Sequence, residues 1–357
     1  GGLADEIFCA GRSKRIYVQI DFGIPYLGNT DLTSSNPLQG CNYVSKKFWK
    51  ENKGFLKKGM ILTGRVGQNT VGAFTYASQV VEGSIGSDNV IRIISNGKLK
   101  NGCLFAFLAS KYGFHLTRRH ISGNAQPFIT EDMLADIPIP TFSEDIQNKV
   151  HNLVVNASDL REEANRLLID TEEILLKETG LKKLSDKDYN FFGSSSSLRE
   201  ITAYPISKIN SSSINAFHYS PKRLELINNI TRGIKCVLLG DVLDDRGIHS
   251  PGSVKVIPVN EGAKLINQRD IFNYTFPHQN ISNKKVSESS FLKKGDILIA
   301  GIGTLGESEV FCRPIYTCDS LKGFLPAGNF IKLQVDNKKI NSAYVYAWLN
   351  TEYGFRL

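Results

Sequence analysis

The sequence lacks the features that mark metal centres, secreted proteins and membrane proteins. None of its six cysteines forms a Cys-x-x-Cys pair, and no histidine stands at metal-ligand spacing from any of them. Scattered free thiols are typical of a reducing cytoplasm. No signal-peptide pattern opens the sequence, and the longest apolar run, from Cys103 to Ala109, is far too short to span a bilayer. We therefore expect a cytoplasmic protein with no metal site and no membrane partner.

Short enzyme motifs are also missing. The sequence contains no Gly-x-x-x-x-Gly-Lys-Ser/Thr loop, no His-Glu-x-x-His pair and no Gly-x-Ser-x-Gly elbow. One candidate is the Gly301-x-Gly303-x-x-Gly306 stretch, which follows the strand-like run Asp296 to Ile299. A dinucleotide-binding loop of this spelling must lead into a helix, whereas the next residues, Glu307 to Cys318, are β-like and include a proline. A nicotinamide-dependent oxidoreductase is therefore the less favoured alternative, and we expect no cofactor.

Length and charge indicate more than one domain and a polyanionic partner. With 357 residues, of which 41% are hydrophobic and 22% charged, the chain can build more than one core. It carries 43 basic and 35 acidic residues, a formal net charge of +8. A basic balance of this size modestly favours partners such as nucleic acid.

An internal repeat divides the chain. The segment FLKKGMILTGRVGQNTVG, which begins at Phe55, returns as FLKKGDILIAGIGTLGES at Phe291. Upstream, YLGNTDL matches LINQRDI, and downstream, LFAFLASKYGFHL matches YVYAWLNTEYGFRL. Three matches in one order, each separated by about 240 residues, indicate two copies of one domain, since such a period is far too long for a solenoid.

Each copy is predicted to be α+β. Strand-like runs rich in Ile, Val and Phe alternate with Gly, Asn and Ser turns, and a helix-like piece follows at Gly102 to Tyr112 and at Ser342 to Tyr353. In the repeated loop, Arg65 stands where the second copy has Gly301. A dinucleotide-binding loop needs glycine at this position so that the backbone can approach the pyrophosphate, and the Arg65 side chain would block that approach. A strand–glycine turn–strand hairpin explains both copies, because glycine supplies positive φ in tight turns.

A long helix is predicted between the copies, with Ser143 as its N-cap and Gly180 as its stop. Apolar residues recur at alternating steps of four and three, which is the seam of a heptad repeat. The seam consists of Ile146, Val150, Leu153, Ala157, Leu160, Ala164, Leu167, Thr171 and Ile174. The helix could pack on its own domain, or it could be a spacer between the modules and one strand of a coiled coil. The strict seam favours the second interpretation.

These patterns predict four segments. Residues 1–140 form the first domain, whose start is expected to be absent, and residues 141–180 form the long spacer helix. Residues 181–215 form a serine-rich linker. Residues 216–357 form the second domain, which opens with a helix from Pro221 to a stop at Gly233, and whose end and own spacer helix are expected to be absent.

This order of motifs resembles the specificity subunits of type I restriction-modification systems. The residues that match are LKKGMILTGRVG and its twin LKKGDILIAGIG, the YLGNTDL and LINQRD strands, the run ISGNAQPFITEDMLADIPIPTFSEDIQNKV from Ile121 to Val150, and FHYSPKRLELI from Phe217 to Ile227. The resemblance covers almost the whole chain. It implies that the two modules are target-recognition domains of a host-defence system that also methylates DNA.

The resemblance implies a non-catalytic function. Each module would read one half of a split, asymmetric site in double-stranded DNA. The helix would set the spacing of the halves and dock DNA methyltransferase subunits, and a restriction and translocase subunit would complete the complex. The alternative within binding proteins is a protein-only adaptor whose paired modules grip polypeptides.

Candidate DNA contacts follow from the chemistry of recognition. Lys and Arg suit phosphates, whereas Arg, Asn, Gln, Ser and Thr on exposed loops suit base edges. The candidates are Arg12, Ser13, Lys14, Arg15, Asn29, Thr30, Arg65, Gln68, Asn69, Arg118 and Arg119 in the first copy, and Arg246, His249, Gln268, Arg269, Thr304 and Lys322 in the second. Loop positions that differ between the copies are best suited to read different bases, above all Arg65 against Gly301 and Gln68 against Thr304. The Lys-Lys pairs before the repeated strand indicate fold as much as phosphate contact.

Overall fold

The chain divides into two compact units, Gly1–Arg166 and Leu167–Leu357. The computed structural model describes residues 2–47, 49, 52–68, 70–119, 121, 127–184, 219, 221–252, 255–273, 275–284, 286–303 and 310–356. No helix in these ranges is both long and apolar enough to cross a membrane. Each unit combines two β-sheets with helices, as expected for an α+β fold.

The first unit has a four-stranded and a three-stranded sheet. Its strands are β1 Ala4–Cys9, β2 Gly23–Leu27, β3 Asn42–Ser45, β4 Ile61–Gly64, β5 Phe74–Tyr76, β6 Ile85–Gly86 and β7 Val90–Ser95. The larger sheet is antiparallel and has the order β1-β7-β4-β5. In the smaller sheet, β2 pairs antiparallel with β3 and parallel with β6.

Side-chain alternation along β4 builds two cores in the first unit. The helices are α1 Asn29–Thr33, α2 Asn101–Ala109, α3 Lys111–Arg119, α4 Glu131–Ala135 and α5 Glu144–Thr179, the last of which begins in the first unit and ends in the second. Ile61 belongs to the core that contains Leu104 and Leu108 of α2. The next residue, Leu62, points to the opposite face and belongs to the core that contains Leu27 of β2.

The second unit repeats this plan. Its strands are β8 Leu243–His249, β9 Pro258–Ile266, β10 Gln279–Ile281, β11 Ile297–Ala300, β12 Pro314–Tyr316, β13 Leu325–Pro326 and β14 Phe330–Val335, and its own helices are α6 Pro221–Gly233, α7 Ser342–Asn350 and α8 Glu352–Arg356. The sheet orders β8-β14-β11-β12 and β10-β9-β13 match those of the first unit strand for strand. Ile297 and Leu298 enter two different cores, as Ile61 and Leu62 do.

The predicted repeat and its hairpin are confirmed. Strand β4 pairs antiparallel with β5, and β11 pairs antiparallel with β12, so a hairpin follows the LKKG motif in both units. Strand β11 is also antiparallel to its other neighbour, β14. A dinucleotide-binding loop follows a strand of a parallel sheet, so β11 does not provide its usual setting.

The explanation offered for the loop glycines was wrong for Gly301 and Gly303 of the second unit, whereas Gly306 lies outside the described residues. Gly67 does have a positive φ of 115°. At Gly301, by contrast, φ is not in that range, and a Cβ would lie 3.0 Å from the Asn329 carbonyl oxygen. At Gly303 a Cβ would lie 2.6 Å from the Cβ of Phe311. The close approach of Asn329 and Phe311, rather than turn conformation, disfavours larger residues at Gly301 and Gly303.

Two further local features differ from, or add to, the prediction. The glycines of the LKKG motif, Gly59 and Gly295, have φ values of 86° and 90°, so a left-handed residue lies two positions before each hairpin strand. The helix-like pieces that follow the last strand are each broken in two. Ser110 separates α2 from α3 and Thr351 separates α7 from α8, both in an extended conformation.

Helix α5 has one face against the units and an apolar column in solvent. In the first unit its Glu162 carboxylate accepts the Val80 N–H at 3.1 Å, and in the second unit its Glu172 carboxylate accepts the Glu352 N–H at 2.9 Å. Every second seam residue, at intervals of seven positions along the helix, is exposed: Ile146 48%, Leu153 63%, Leu160 56%, Leu167 51% and Ile174 60%. Of the remaining seam positions, Val150 packs against the first core and Ala157 is half-buried, whereas Ala164 is exposed.

Each unit buries a cation at the same place in its larger sheet. Arg92 on β7 and Lys332 on β14 are both 0% exposed, and they face Leu62 and Leu298 respectively in the strand register. The sequence did not lead us to expect these residues inside the protein, because a charged residue within a strand is ordinarily read as its solvent-facing side.

Candidate nucleic-acid interface

Several candidates in the first unit surround the hairpin loop between β4 and β5. The Arg65 N–H donates to the Asn89 carbonyl at 2.8 Å, and the Arg65 carbonyl accepts the Ile129 N–H at 2.9 Å. Further along, the Gly67 N–H donates to the Pro127 carbonyl at 2.9 Å. The loop that presents the half-buried Arg65 side chain is therefore held by backbone on both sides.

Gln68 and Arg118 are brought together across this loop. Arg118 on α3 donates to the Gln68 carbonyl at 2.7 Å and to Gln68 Oε1 at 3.2 Å. Its guanidinium lies 5.1 Å from the ring centre of Phe114, which helps to fix its direction. Arg119, at the end of α3, is exposed, and Asn69 lies outside the described residues.

Arg12 and Arg15 converge on one carboxylate. Both form ion pairs with Asp88, at 3.5 Å for Arg12. The Arg15 guanidinium also lies 5.3 Å from the ring centre of Tyr26. Asp88 belongs to the turn between β6 and β7, and the next residue, Asn89, accepts the Arg65 N–H. This turn therefore joins three of the predicted arginines.

The other first-unit candidates are less closely connected. Asn29 packs its amide against Gly64 and leaves its Oδ1 buried with no hydrogen-bond partner among the described residues. Thr30 is exposed on α1, and its carbonyl accepts the Thr33 hydroxyl. Ser13 is half-buried and Lys14 is exposed, both in the segment that carries Arg12 and Arg15.

The second unit places different residues on the same framework. The Gly301 N–H donates to the Asn329 carbonyl at 3.0 Å, as Arg65 does to Asn89. Gln268 grips the next residue through two hydrogen bonds, from its Nε2 to the Ile302 carbonyl at 2.5 Å and from the Ile302 N–H to its Oε1 at 3.2 Å. The side chain of Gln268 is therefore engaged with the loop that follows β11.

The remaining second-unit candidates are scattered. His249 ends β8 opposite Lys332, with its Nδ1 buried and unpartnered within the described residues. Arg269 is exposed beside Gln268 and pairs with Asp270 at 3.2 Å. Lys322 is exposed in the segment before β13. Arg246 lies on β8, but its side chain lies outside what the structure describes, as does all of Thr304.

The LKKG lysines make contacts within their own units. Lys58 lies 3.7 Å from Asp159 on α5, and Lys294 pairs with Asp319 at 2.8 Å. The hydrogen bond in the second pair raises the pKa of Lys294 and lowers that of Asp319. These contacts favour the structural interpretation of the repeated lysines.

The Cys9 thiol, which lies near Arg65 and Arg92, is not activated as a nucleophile. Burial, with a hydrogen bond to Glu131, raises the pKa of the Cys9 thiol to about 12 despite the nearby Arg65 and Arg92 cations. The thiol therefore stays protonated at neutral pH and is a poor nucleophile. In the described ranges, no group of three or more His, Cys, Asp or Glu residues could hold a metal ion.

Sequence reasoning missed the residues that organise the interface. Asp88 and the two asparagines Asn89 and Asn329 have no motif of their own. The detectable signal was the repeat, because Asp88-Asn89 aligns with Gly328-Asn329. A shared asparagine beside a position that differs in charge points to a common backbone role and a divergent side-chain role.

Comparisons with known proteins give similarity at the level of structure. No family model matches the chain, and no curated protein matches it. The chain is similar to the type I restriction-modification system S subunit from M. genitalium, with 13% identity and a TM-score of 0.32, over 98% of this chain and 74% of that chain. It is also similar to the HsdS subunit from Thermoanaerobacter tengcongensis, with 14% identity and a TM-score of 0.30, over 98% and 81% of the two chains. A third structure, from work on complex assembly and conformational transition of the type I R-M system, has 13% identity and a TM-score of 0.29, over 98% and 82%.

Proposed function

We propose that this chain is the DNA specificity subunit of a type I restriction-modification complex, in which each unit reads one half of a two-part, asymmetric DNA site. It would catalyse no reaction itself. DNA methyltransferase subunits and a restriction and translocase subunit would act where it binds. The observation that supports this proposal is one framework, built twice, whose equivalent loops carry different side chains.

The shared part of the framework is backbone, and backbone carries no base preference. The same hydrogen bond joins Arg65 to Asn89 and Gly301 to Asn329. Side chains on that backbone supply direct readout, because they reach base edges with distinct donors and acceptors. Arg65 with Gln68 in the first unit, and Gln268 in the second, provide different donor sets beside the loop that follows the repeated strand.

The exposed column of α5 fits the other half of this function. Large apolar residues at every seventh position form a narrow stripe suited to a second helix in a coiled coil. We propose that a partner helix covers Ile146, Leu153, Leu160, Leu167 and Ile174, and that the methyltransferase subunits dock on the resulting helical pair.

The test is selection of DNA from a randomised duplex pool by the full chain together with its methyltransferase subunit. We expect enrichment of a two-part motif and binding that weakens steeply with salt, since log K falls by about 0.9 per contacted phosphate for each unit of log salt. Failure to enrich any motif over random duplex would refute the proposal. Binding of polypeptide that ignores both DNA and salt would favour a protein adaptor.

Two matched substitutions test the division between units. Arg65→Ala should relax base preference in one half of the motif, by about 1–3 kcal/mol at the affected position, and leave the other half intact. Gln268→Ala should have the reciprocal effect on the other half. Equal loss in both halves from either variant would contradict two independent readers.

A further inference from the structure

Asp88 is the acidic partner of two arginines that the sequence had assigned to DNA. Its side chain is only 12% exposed, whereas the Arg12 side chain is 94% exposed and the Arg15 side chain 39%. The carboxylate is thus a fixed, recessed group, and the arginines reach it from the solvent side. Breaking the Arg12–Asp88 ion pair costs little free energy, because exposed ion pairs contribute at most about 1 kcal/mol.

The turn that carries Asp88 is fixed from inside the protein. The buried Arg92 guanidinium donates to the carbonyls of Gly86 at 2.5 Å and Val90 at 2.7 Å, on either side of Asp88. The Asn89 carbonyl in the same turn accepts the Arg65 N–H. Asp88 therefore has a constant position relative to Arg65, the first unit's strongest candidate for base readout.

The second unit has no acid at the equivalent position. Gly328 aligns with Asp88, and the Ser250 hydroxyl donates to the Gly328 carbonyl at 3.1 Å. In both units the segment after the first strand is tied to the same turn. The tie is ionic in the first unit and a neutral hydrogen bond in the second, so the fold does not require a carboxylate there.

We infer that Asp88 acts as an internal stand-in for a DNA phosphate, competing with random duplex for Arg12 and Arg15 and giving them up when specific contacts bring a phosphate into place. This inference rests on the proposed function and adds a specificity-determining residue to it. A carboxylate oxygen presents to a guanidinium the same acceptors as a phosphate oxygen. Non-specific binding depends on free cations, so pairing two of them with one carboxylate in the resting state lowers it.

Asp88→Asn keeps the size of the side chain and removes its charge. We expect this variant to bind a random-sequence 30-base-pair duplex about tenfold more tightly at low salt, with a steeper salt dependence, because two cations become available to phosphates. The affinity for the selected site should rise less, so the ratio of specific to random binding falls. Fluorescence anisotropy of labelled duplex, with the full chain and its methyltransferase subunit, measures both.

Asp136→Asn is the matched control. Asp136 is exposed in the same unit, and its substitution by Asn changes the net charge of the protein by the same amount as Asp88→Asn. Equal affinities of the two variants for random duplex would overturn the inference, as would weaker binding by Asp88→Asn. If the wild-type complex selected no site, the proposed function itself would fail, which is a different result.

Arg12→Ala provides a second measurement that does not depend on how Asp88→Asn folds, since the Arg12 side chain is almost fully exposed. Because Asp88 competes with phosphates for Arg12, this variant should weaken binding to the selected site several-fold and binding to random duplex much less. A loss of about 0.9 in the salt slope on random duplex would show that Arg12 contacts phosphates freely, and would overturn the inference.

Discussion

The two units bury a cation at the same strand position and satisfy it in different ways. In the first unit Arg92 uses its planar fork of donors to reach backbone carbonyls, including that of Gly54 at 3.0 Å. In the second unit Lys332 pairs with the Asp296 carboxylate at 2.8 Å and donates to the Phe291 carbonyl at 3.1 Å. The position of Asp296 is occupied by Met60 in the first unit.

This difference shows that the fold conserves a charge-bearing position and not a particular partner. A guanidinium spreads its charge over five donors and tolerates neutral acceptors, whereas an ammonium concentrates it and profits from an anion. Burial lowers the pKa of Arg92 to about 10, still well above neutral pH, so Arg92 remains charged in the core. The buried cation and the residue at the Asp296 position therefore depend on each other. Lys332 requires the Asp296 carboxylate, whereas Arg92 tolerates Met60, so replacing one member of a pair alone should destabilise the unit.

The largest expected effect on stability comes from replacing Asp296 of the second unit with methionine, the residue found at the equivalent position 60 of the first unit. Asp296→Met leaves the Lys332 ammonium buried without its carboxylate, and it removes the acceptor of the Lys293 N–H at 2.8 Å. We expect the second unit to lose about 3–5 kcal/mol of its free energy of unfolding, the usual result of removing one partner of a buried ion pair.

The two tryptophans make this measurement specific to one unit. Trp49 lies in the first unit and Trp348 in the second, and the chain has no others. Urea unfolding followed by Trp348 fluorescence, in a Trp49→Phe background, reports on the second unit. Asp319→Asn, which breaks the exposed pair with Lys294, is the control and should change the transition far less. If both variants cost the same, the comparison between buried cations would be wrong.

A smaller effect is expected where the hairpin loops rejoin their strands. Gly72 has a φ of 84°, and its counterpart Cys312 has a φ of 65°. The first unit uses glycine in this left-handed conformation, while the second strains a residue with a side chain. Gly72→Ala should destabilise the first unit by about 1–2 kcal/mol, because a Cβ is disfavoured there and would lie 3.2 Å from the Phe114 ring.

Cys312→Gly is the reciprocal change and should be neutral or stabilising for the second unit, since it relieves the same conformation. Urea midpoints from Trp49 and Trp348, each in a background lacking the other tryptophan, separate the two outcomes. A marked loss of stability in the Cys312 variant would mean that its half-buried thiol packing outweighs backbone strain.

The smallest expected effect is a pH dependence of the first unit's stability that arises from His151. Burial, followed by the charge of Lys100, lowers the pKa of His151 from its ordinary value of 6.5, and its Nδ1 accepts the Gly102 N–H at 3.2 Å. The unfolded chain therefore takes up a proton at a higher pH than the folded one, so the first unit loses stability as pH falls through 6.5 towards the lowered folded value. The His151→Gln variant should lose this part of the pH dependence, as measured by Trp49 fluorescence between pH 7 and 5. An unchanged dependence would assign it to other groups.

Sequence alone predicted the repeat, the hairpins and α5, because each depends on local pattern: a duplicated motif, alternating apolar residues, and a seam closed by Gly180, whose φ is 66°. It could not predict Arg92 and Lys332 as core residues, since their burial depends on carbonyls brought together by tertiary structure. Gln68 was correctly placed on an exposed loop, but its link to Arg118, 50 residues away, has no local signal. The role of Asp88 likewise emerges only when the turn and the Arg12 segment meet.

The exposed column of α5 has a consequence for the life of the protein in the cell. We expect a chain that displays five large apolar side chains along one helix to be a target for chaperones and proteases until a partner covers them. Its abundance would then follow the supply of its assembly partners rather than its own synthesis. Surplus copies would be removed. Under the proposed function, a lone subunit would then not accumulate to occupy DNA sites without the enzymes that act there.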